Sequence, residues 1–114
     1  MAQTHELLSS HGAQVSDSAA AVYTVPSSTV GYVKSILLHN TNTSAENVKL
    51  YFVENGGSVA DSRLILNVSL EANETLEWML EYPLPMETAG DTIQAVTDTA
   101  SKVNIVISGM EETA

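Results

Sequence analysis

Three histidines, fourteen acidic residues and a scatter of hydroxyls are the side chains of this chain with the chemistry for metal binding or catalysis. Their spacing argues against each use in turn. His5 and His11 stand in a polar N-terminal stretch and His39 closes a strand-like run. Zinc sites draw three or four converging Cys, His or carboxylate ligands, and here there is no cysteine and no H-x-x-x-H pair. No metal and no cofactor are expected. Glu71, Glu74 and Glu77 recur at a spacing that aligns side chains on a helix, yet they bracket a turn between strands. Glu77 and Glu81 share one strand face, but four residues of strand span ~13 Å. That is wider than the carboxylate pairs of glycoside hydrolysis. Glu87, Asp91 and Asp98 lack the D-x-[DN]-x-[DN]-G order of a calcium loop. No G-x-S-x-G elbow activates a serine. Asn55-Gly56-Gly57-Ser58 lacks the lysine and helix of a phosphate loop and reads as a turn. Tyr23, Tyr32, Tyr51 and Tyr82 are dispersed, although Tyr32 and Tyr51 share an exposed face if their strands pair. No catalytic, cofactor-binding or metal-binding residue is assigned, and the chain is not expected to be an enzyme.

The elements behind these residues keep a period of two. Val48, Leu50 and Phe52 alternate with Asn47, Lys49 and Tyr51; Leu76, Trp78 and Leu80 alternate with Glu77 and Met79; Val103, Ile105 and Ile107 alternate with Lys102 and Asn104. Such alternation builds sheets with one buried and one wet face. Strands are predicted over 20–25, 31–40, 47–54, 64–70, 74–80, 92–97 and 102–108, separated by Asn-, Gly- and Pro-rich turns, with Pro83 and Pro85 breaking the fifth. Seven or eight strands about ten residues apart predict an all-β, antiparallel β-sandwich, jelly-roll or immunoglobulin-like. The expected core is Val25, Ile36, Leu38, Val48, Leu50, Phe52, Leu66, Leu76, Trp78, Ile93, Val103, Ile105 and Ile107. Residues 1–19 read as an N-terminal arm that orders on a partner or adds a short edge strand, with a frayed terminus as the plainer alternative in an isolated monomer. Residues 20–110 form the sandwich, and 111–114 an acidic C-terminal tail.

Charge narrows the function. Four basic residues against fourteen acidic ones give a net charge of −10. Phosphate neutralisation supplies most nucleic-acid affinity, so no nucleic-acid partner is expected. Anionic membranes repel the chain for the same reason, and no segment reads as a signal peptide or a membrane span. Any self-assembly must use specific interfaces that overcome repulsion between copies.

The order Val22-Tyr23-Thr24-Val25-Pro26, Val33 to Thr41 and Val48-Lys49-Leu50-Tyr51 resembles a small β-sandwich module of tailed-bacteriophage structural proteins. So do Glu74-Thr75-Leu76-Glu77-Trp78, Ala89 to Ala95 and Val103 to Gly109. The likeness covers roughly residues 20–110 and rests on strand and turn patterns. It implies a virion component assembled in the host cytoplasm: a capsid decoration or cement protein, or a tail-, neck- or fibre-associated protein. The resemblance also implies other virion proteins as partners and a homo-oligomer, often a trimer, with no active-site residues. The chain departs from multi-module relatives in having one copy and a short polar arm. A small carbohydrate-binding module for host adsorption is the alternative, and it requires coplanar exposed aromatics.

Overall fold

The period-two pattern is realised as eight strands and one 3-10 turn in the computed structural model, which describes residues 5–113. The strands are β1 (Glu6–Leu7), β2 (Ala20–Thr24), β3 (Thr29–Asn40), β4 (Glu46–Val53), β5 (Leu64–Leu70), β6 (Thr75–Met86), β7 (Thr92–Thr97) and β8 (Val103–Thr113), with the turn at Asp61–Arg63 before β5. One sheet has the order β1-β8-β3-β6 and the other β2-β7-β4-β5, and all neighbours are antiparallel. The first strand pairs with the eighth, the second with the seventh, the third with the sixth and the fourth with the fifth. That is a long hairpin rolled into two sheets, the jelly roll, which decides between the two sandwich types expected from sequence.

Inward rows from both sheets make the core: Ile36, Leu38, Ile105 and Ile107 from the first, Val48, Leu50, Ile93 and Ala95 from the second. Of the expected core, Phe52, Leu66, Leu76 and Trp78 are only half-buried. Leu66, Leu76 and Trp78 sit on β5 and β6, the sheet edges no neighbour covers. Val15, Tyr23, Val33, Tyr51, Val53, Leu70, Met86 and Ala95 are buried as well, outside the expected set.

Two boundaries differ from the sequence reading. Strand β6 runs through Pro83 and Pro85, because an edge strand has one side whose N–H groups no ladder needs. Strand β8 extends to Thr113, so Glu111 and Glu112 pair with Gly31 and Val30 where a tail was expected. The N-terminal stretch takes one of the forms expected of it, a short edge strand, here added to its own chain. Glu6 and Leu7 pair with Gly109 and Ser108, the Leu8 amide donates to the Ile107 carbonyl (2.8 Å), and the Val15 amide donates to Val103 (2.8 Å). Met1–Thr4 fall outside the described residues.

A bulge at Lys34 sets the phase of β3. Val33 aligns with Gly109 and Ser35 with Ser108, so β3 holds one extra residue against β8. Val33 and Ile36 therefore both face inward. Beside the bulge the backbones close tightly, and a Cβ on Gly109 would stand 1.8 Å from the Tyr32 carbonyl oxygen. Gly109→Ala should accordingly lower stability by at least about 3 kcal/mol. Val15→Ala should cost about 2 kcal/mol for lost burial and the cavity left behind. Urea titration of both variants checks this, and a Val15→Ala protein as stable as the parent would show the N-terminal segment to be dispensable.

Candidate interaction surface

Strand pairing gathers residues on the outer face of the β1-β8-β3-β6 sheet that sequence separates widely. One row reads Leu7, Ser108, Ser35, Met79, and the next Val106, Leu37, Glu77. Met79 is 65% exposed and Val106 43%. The two serine hydroxyls bond each other at 2.6 Å, so they ask little of solvent. Glu77 is the only charge in these rows. In a chain of net charge −10, these two rows form a largely apolar patch with a single charge.

Met79 leads into a second feature. Between Ser35↔Met79 and Val33↔Leu84, strand β6 holds three more residues than β3. The excess is thrown out as a wide bulge centred on Glu81 and Tyr82, the latter 79% exposed. Lys34, from the bulge of β3, steadies it: its Nζ donates to the carbonyls of Leu80 (2.9 Å) and Glu81 (3.3 Å). Beneath lies a groove of about 340 Å³ lined by Ile36, Ile65, Trp78, Leu80, Tyr82, Pro83, Leu84 and Pro85. It is the gap between the free edges of β5 and β6, which the rolled hairpin leaves unfilled.

Polar clusters elsewhere are internally satisfied. Asn40, fully buried, donates to the carbonyls of Ser44, Leu70 and Glu71 and accepts the Asn42 amide, tying two turns together. Buried Glu46 accepts from Asn42 Nδ2 (2.8 Å), Thr97 Oγ1 (3.0 Å) and the Thr99 amide (2.9 Å). Burial pushes its pKa up, but these donors outweigh burial and hold it below the ordinary value. Tyr23 crosses from β2 to the other sheet, where its hydroxyl donates to Glu111 (2.6 Å) over Gly31, whose absent Cβ makes room. Burial, then the bond to Glu111, raises the Tyr23 pKa well above that of a free phenol. Exposed Glu54 is held down to about 2 by its two-point bond to Arg63.

The side chains weighed from sequence stay apart. His5 and His11 are exposed, and His39 bonds Thr75 at 2.7 Å. Among the described residues no three His, Asp or Glu gather to hold a metal ion. Tyr32 and Tyr51 lie in different sheets, because the Asn40–Ser44 turn carries the chain across the sandwich instead of closing a hairpin. No helix among the described residues is long and apolar enough to cross a membrane. The surface residues that sequence reasoning missed, Leu37, Met79 and Val106, do have a signal. Each fills the polar phase of a strand, in Ile36-Leu37-Leu38, Trp78-Met79-Leu80 and Ile105-Val106-Ile107.

Fold and surface together define an all-β jelly-roll sandwich with exposed apolar area on one sheet. No family model matches the chain, and no curated protein matches it in sequence. Among solved structures it is similar to a protein of Bacillus endospore appendages, described as a novel family of disulfide-linked pili. The identity is 15%, covering 98% of this chain and 87% of that one, with a TM-score of 0.53. That likeness shows the fold. These 114 residues contain no cysteine, so they cannot form a disulfide link. Infectious bursal disease virus, Gx strain, aligns at 7% identity over 96% of this chain and 31% of that one; its TM-score of 0.38 carries no argument.

The Glu46 and Tyr23 contacts fix a pH dependence. Glu46 has a lowered folded pKa, so its contribution is complete above the ordinary value of 4.5 and disappears as pH falls through the folded value. Tyr23 has a raised one, so its contribution is complete below 10 and disappears at more alkaline pH. Urea midpoints at pH 3, 7 and 11 should therefore peak at 7. Glu46→Gln should shrink the acid loss, and Tyr23→Phe the alkaline loss, each costing about 1–3 kcal/mol at pH 7.

Proposed function

We propose that this chain is a structural subunit of a bacteriophage virion, a capsid decoration or cement protein or a tail- or neck-associated one, acting by contact with identical copies and neighbouring virion proteins. The observation that carries the reading is the pair of outer-face rows bearing Leu7, Leu37, Met79 and Val106, in which Glu77 is the only charge. A net charge of −10 drives copies apart unless they meet where charge is sparse, and these rows meet that condition. Around a two-fold axis a patch can meet itself; in a cyclic trimer it must meet a different patch of its neighbour. The jelly-roll fold supports the reading, since rigid rolled sandwiches of this kind build capsids. The sequence resemblance to tailed-phage modules supplies the virion setting.

Size-exclusion chromatography with light scattering should return a discrete multiple of 12.1 kDa. Met79→Glu and Val106→Glu together should convert it to a folded monomer, because both side chains are exposed in the single chain. Mass spectrometry of purified particles should find many copies per virion. A parent protein that stays monomeric at millimolar concentration and is missing from particles would overturn the proposal.

A further inference from the structure

We infer that Asn55 is a self-modification site: the exposed turn after β4 converts its carboxamide to a carboxylate, with part of the product linked through isoaspartate. The reaction needs only water as co-reactant and is independent of the assembly reading.

Seven asparagines occur in the chain, and the structure sets one of them apart. Deamidation begins when the backbone nitrogen of the next residue attacks the carboxamide. Reactivity therefore depends on what holds the carboxamide and what shields that nitrogen. Asn40 is fully buried, and its side chain donates to three carbonyls. Asn42 donates to Glu46, Asn47 donates to Asn67 and to the Val68 carbonyl, and Asn104 accepts from Gln14. Asn67 accepts the bond from Asn47 and precedes Val68, whose branched side chain crowds the attacking atom. Asn73 is exposed, but the amide after it, that of Glu74, is bonded to the Glu71 carbonyl at 3.0 Å.

Asn55 has none of these protections. It is exposed, and its carboxamide has no hydrogen-bond partner among the described residues. Gly56 follows with no side chain to block approach, at a φ of 80° that glycine adopts without strain. Its amide is also unbonded among the described residues, because the turn is closed one residue later, by the Gly57 amide on the Glu54 carbonyl (2.9 Å).

In the first step the Gly56 nitrogen gives its proton to solvent and bonds to Asn55 Cγ. The Cγ–Nδ2 bond breaks, and the nitrogen leaves as ammonia after taking up one proton, which closes a five-membered imide. Water then opens the ring. Cleavage between the Gly56 nitrogen and Cγ gives aspartate, and cleavage of the original peptide bond gives isoaspartate, with the main chain running through Cβ.

Either product adds one negative charge at an unfavourable place. The Asn55 backbone amide donates to Asp91 Oδ1 (3.0 Å), and its carboxamide lies over Gly90, where a Cβ would stand 2.6 Å from Asn55 Cγ. The new carboxylate stands beside Asp91, and the cation of this turn, Arg63, is already engaged by Glu54. Asp91 also accepts the Thr88 amide (3.2 Å), so repulsion there loosens the approach to β7.

The full chain is incubated at mildly alkaline pH and body temperature beside a synthetic peptide of residues 52–60, until the peptide is fully converted. Peptide mapping of the protein should find a gain of one mass unit at Asn55, at least tenfold more than at any other asparagine. Protein isoaspartate methyltransferase should label the same fragment, and Asn55→Gln should remove both signals. The converted form, separated by anion exchange, should unfold at lower urea concentration than the untreated protein. Asn55 intact when the peptide is spent, or conversion at Asn73 equal to that at Asn55, overturns the assignment. An unchanged urea midpoint overturns the coupling to Asp91.

Discussion

The ladder between β3 and β8 is the interaction on which the rest of the molecule depends. It aligns eleven residue pairs from Thr29↔Thr113 to Asn40↔Val103, joining the first third of the chain to its end. Around it, β6 attaches on one side and β1 on the other. Its inward row supplies Ile36, Leu38, Ile105 and Ile107 to the core, and its outward row supplies Leu37 and Val106 to the surface. Because side chains alternate, a one-residue slip would exchange these two sets. The bulge at Lys34 and the close approach at Gly109 pin the register, which makes a lysine and a glycine as decisive as any core residue.

That register also accounts for the surface. With β3 at the centre, Leu37, Met79 and Val106 come from three strands onto one face, and the three-residue excess in β6 is forced outward at the sheet edge. The same edge explains the groove. In a hairpin rolled into two four-stranded layers, the free edges of β5 and β6 run past each other and leave a gap at the side of the core. Ile65, Trp78 and Leu80 are left half-buried there, which is why residues of core type end up lining a cleft. The acid–amide networks at Asn40 and Glu46 serve a different purpose. They satisfy backbone and side-chain groups where the chain crosses between sheets, so the crossings are fixed without apolar packing.

Strand periodicity alone determined much of this protein. Leu64–Leu70 and Thr92–Thr97 have the limits that alternation and turn residues assign to them, and nine of the thirteen expected core residues are buried, because alternation and turn propensity are local properties of the chain. The class, an all-β sandwich, followed from the same local pattern. The tertiary structure alone decided what depends on pairing across the sequence. It settled the jelly-roll order, the continuation of β6 through two prolines on an edge and of β8 through an acidic end, and the role of Val15 in closing the core. It also turned three separate apolar residues on polar phases, Leu37, Met79 and Val106, into one patch. A strand's own residues state which of them share a side; which strand lies beside it, and therefore whether that side is covered, is set by contacts the local pattern does not contain.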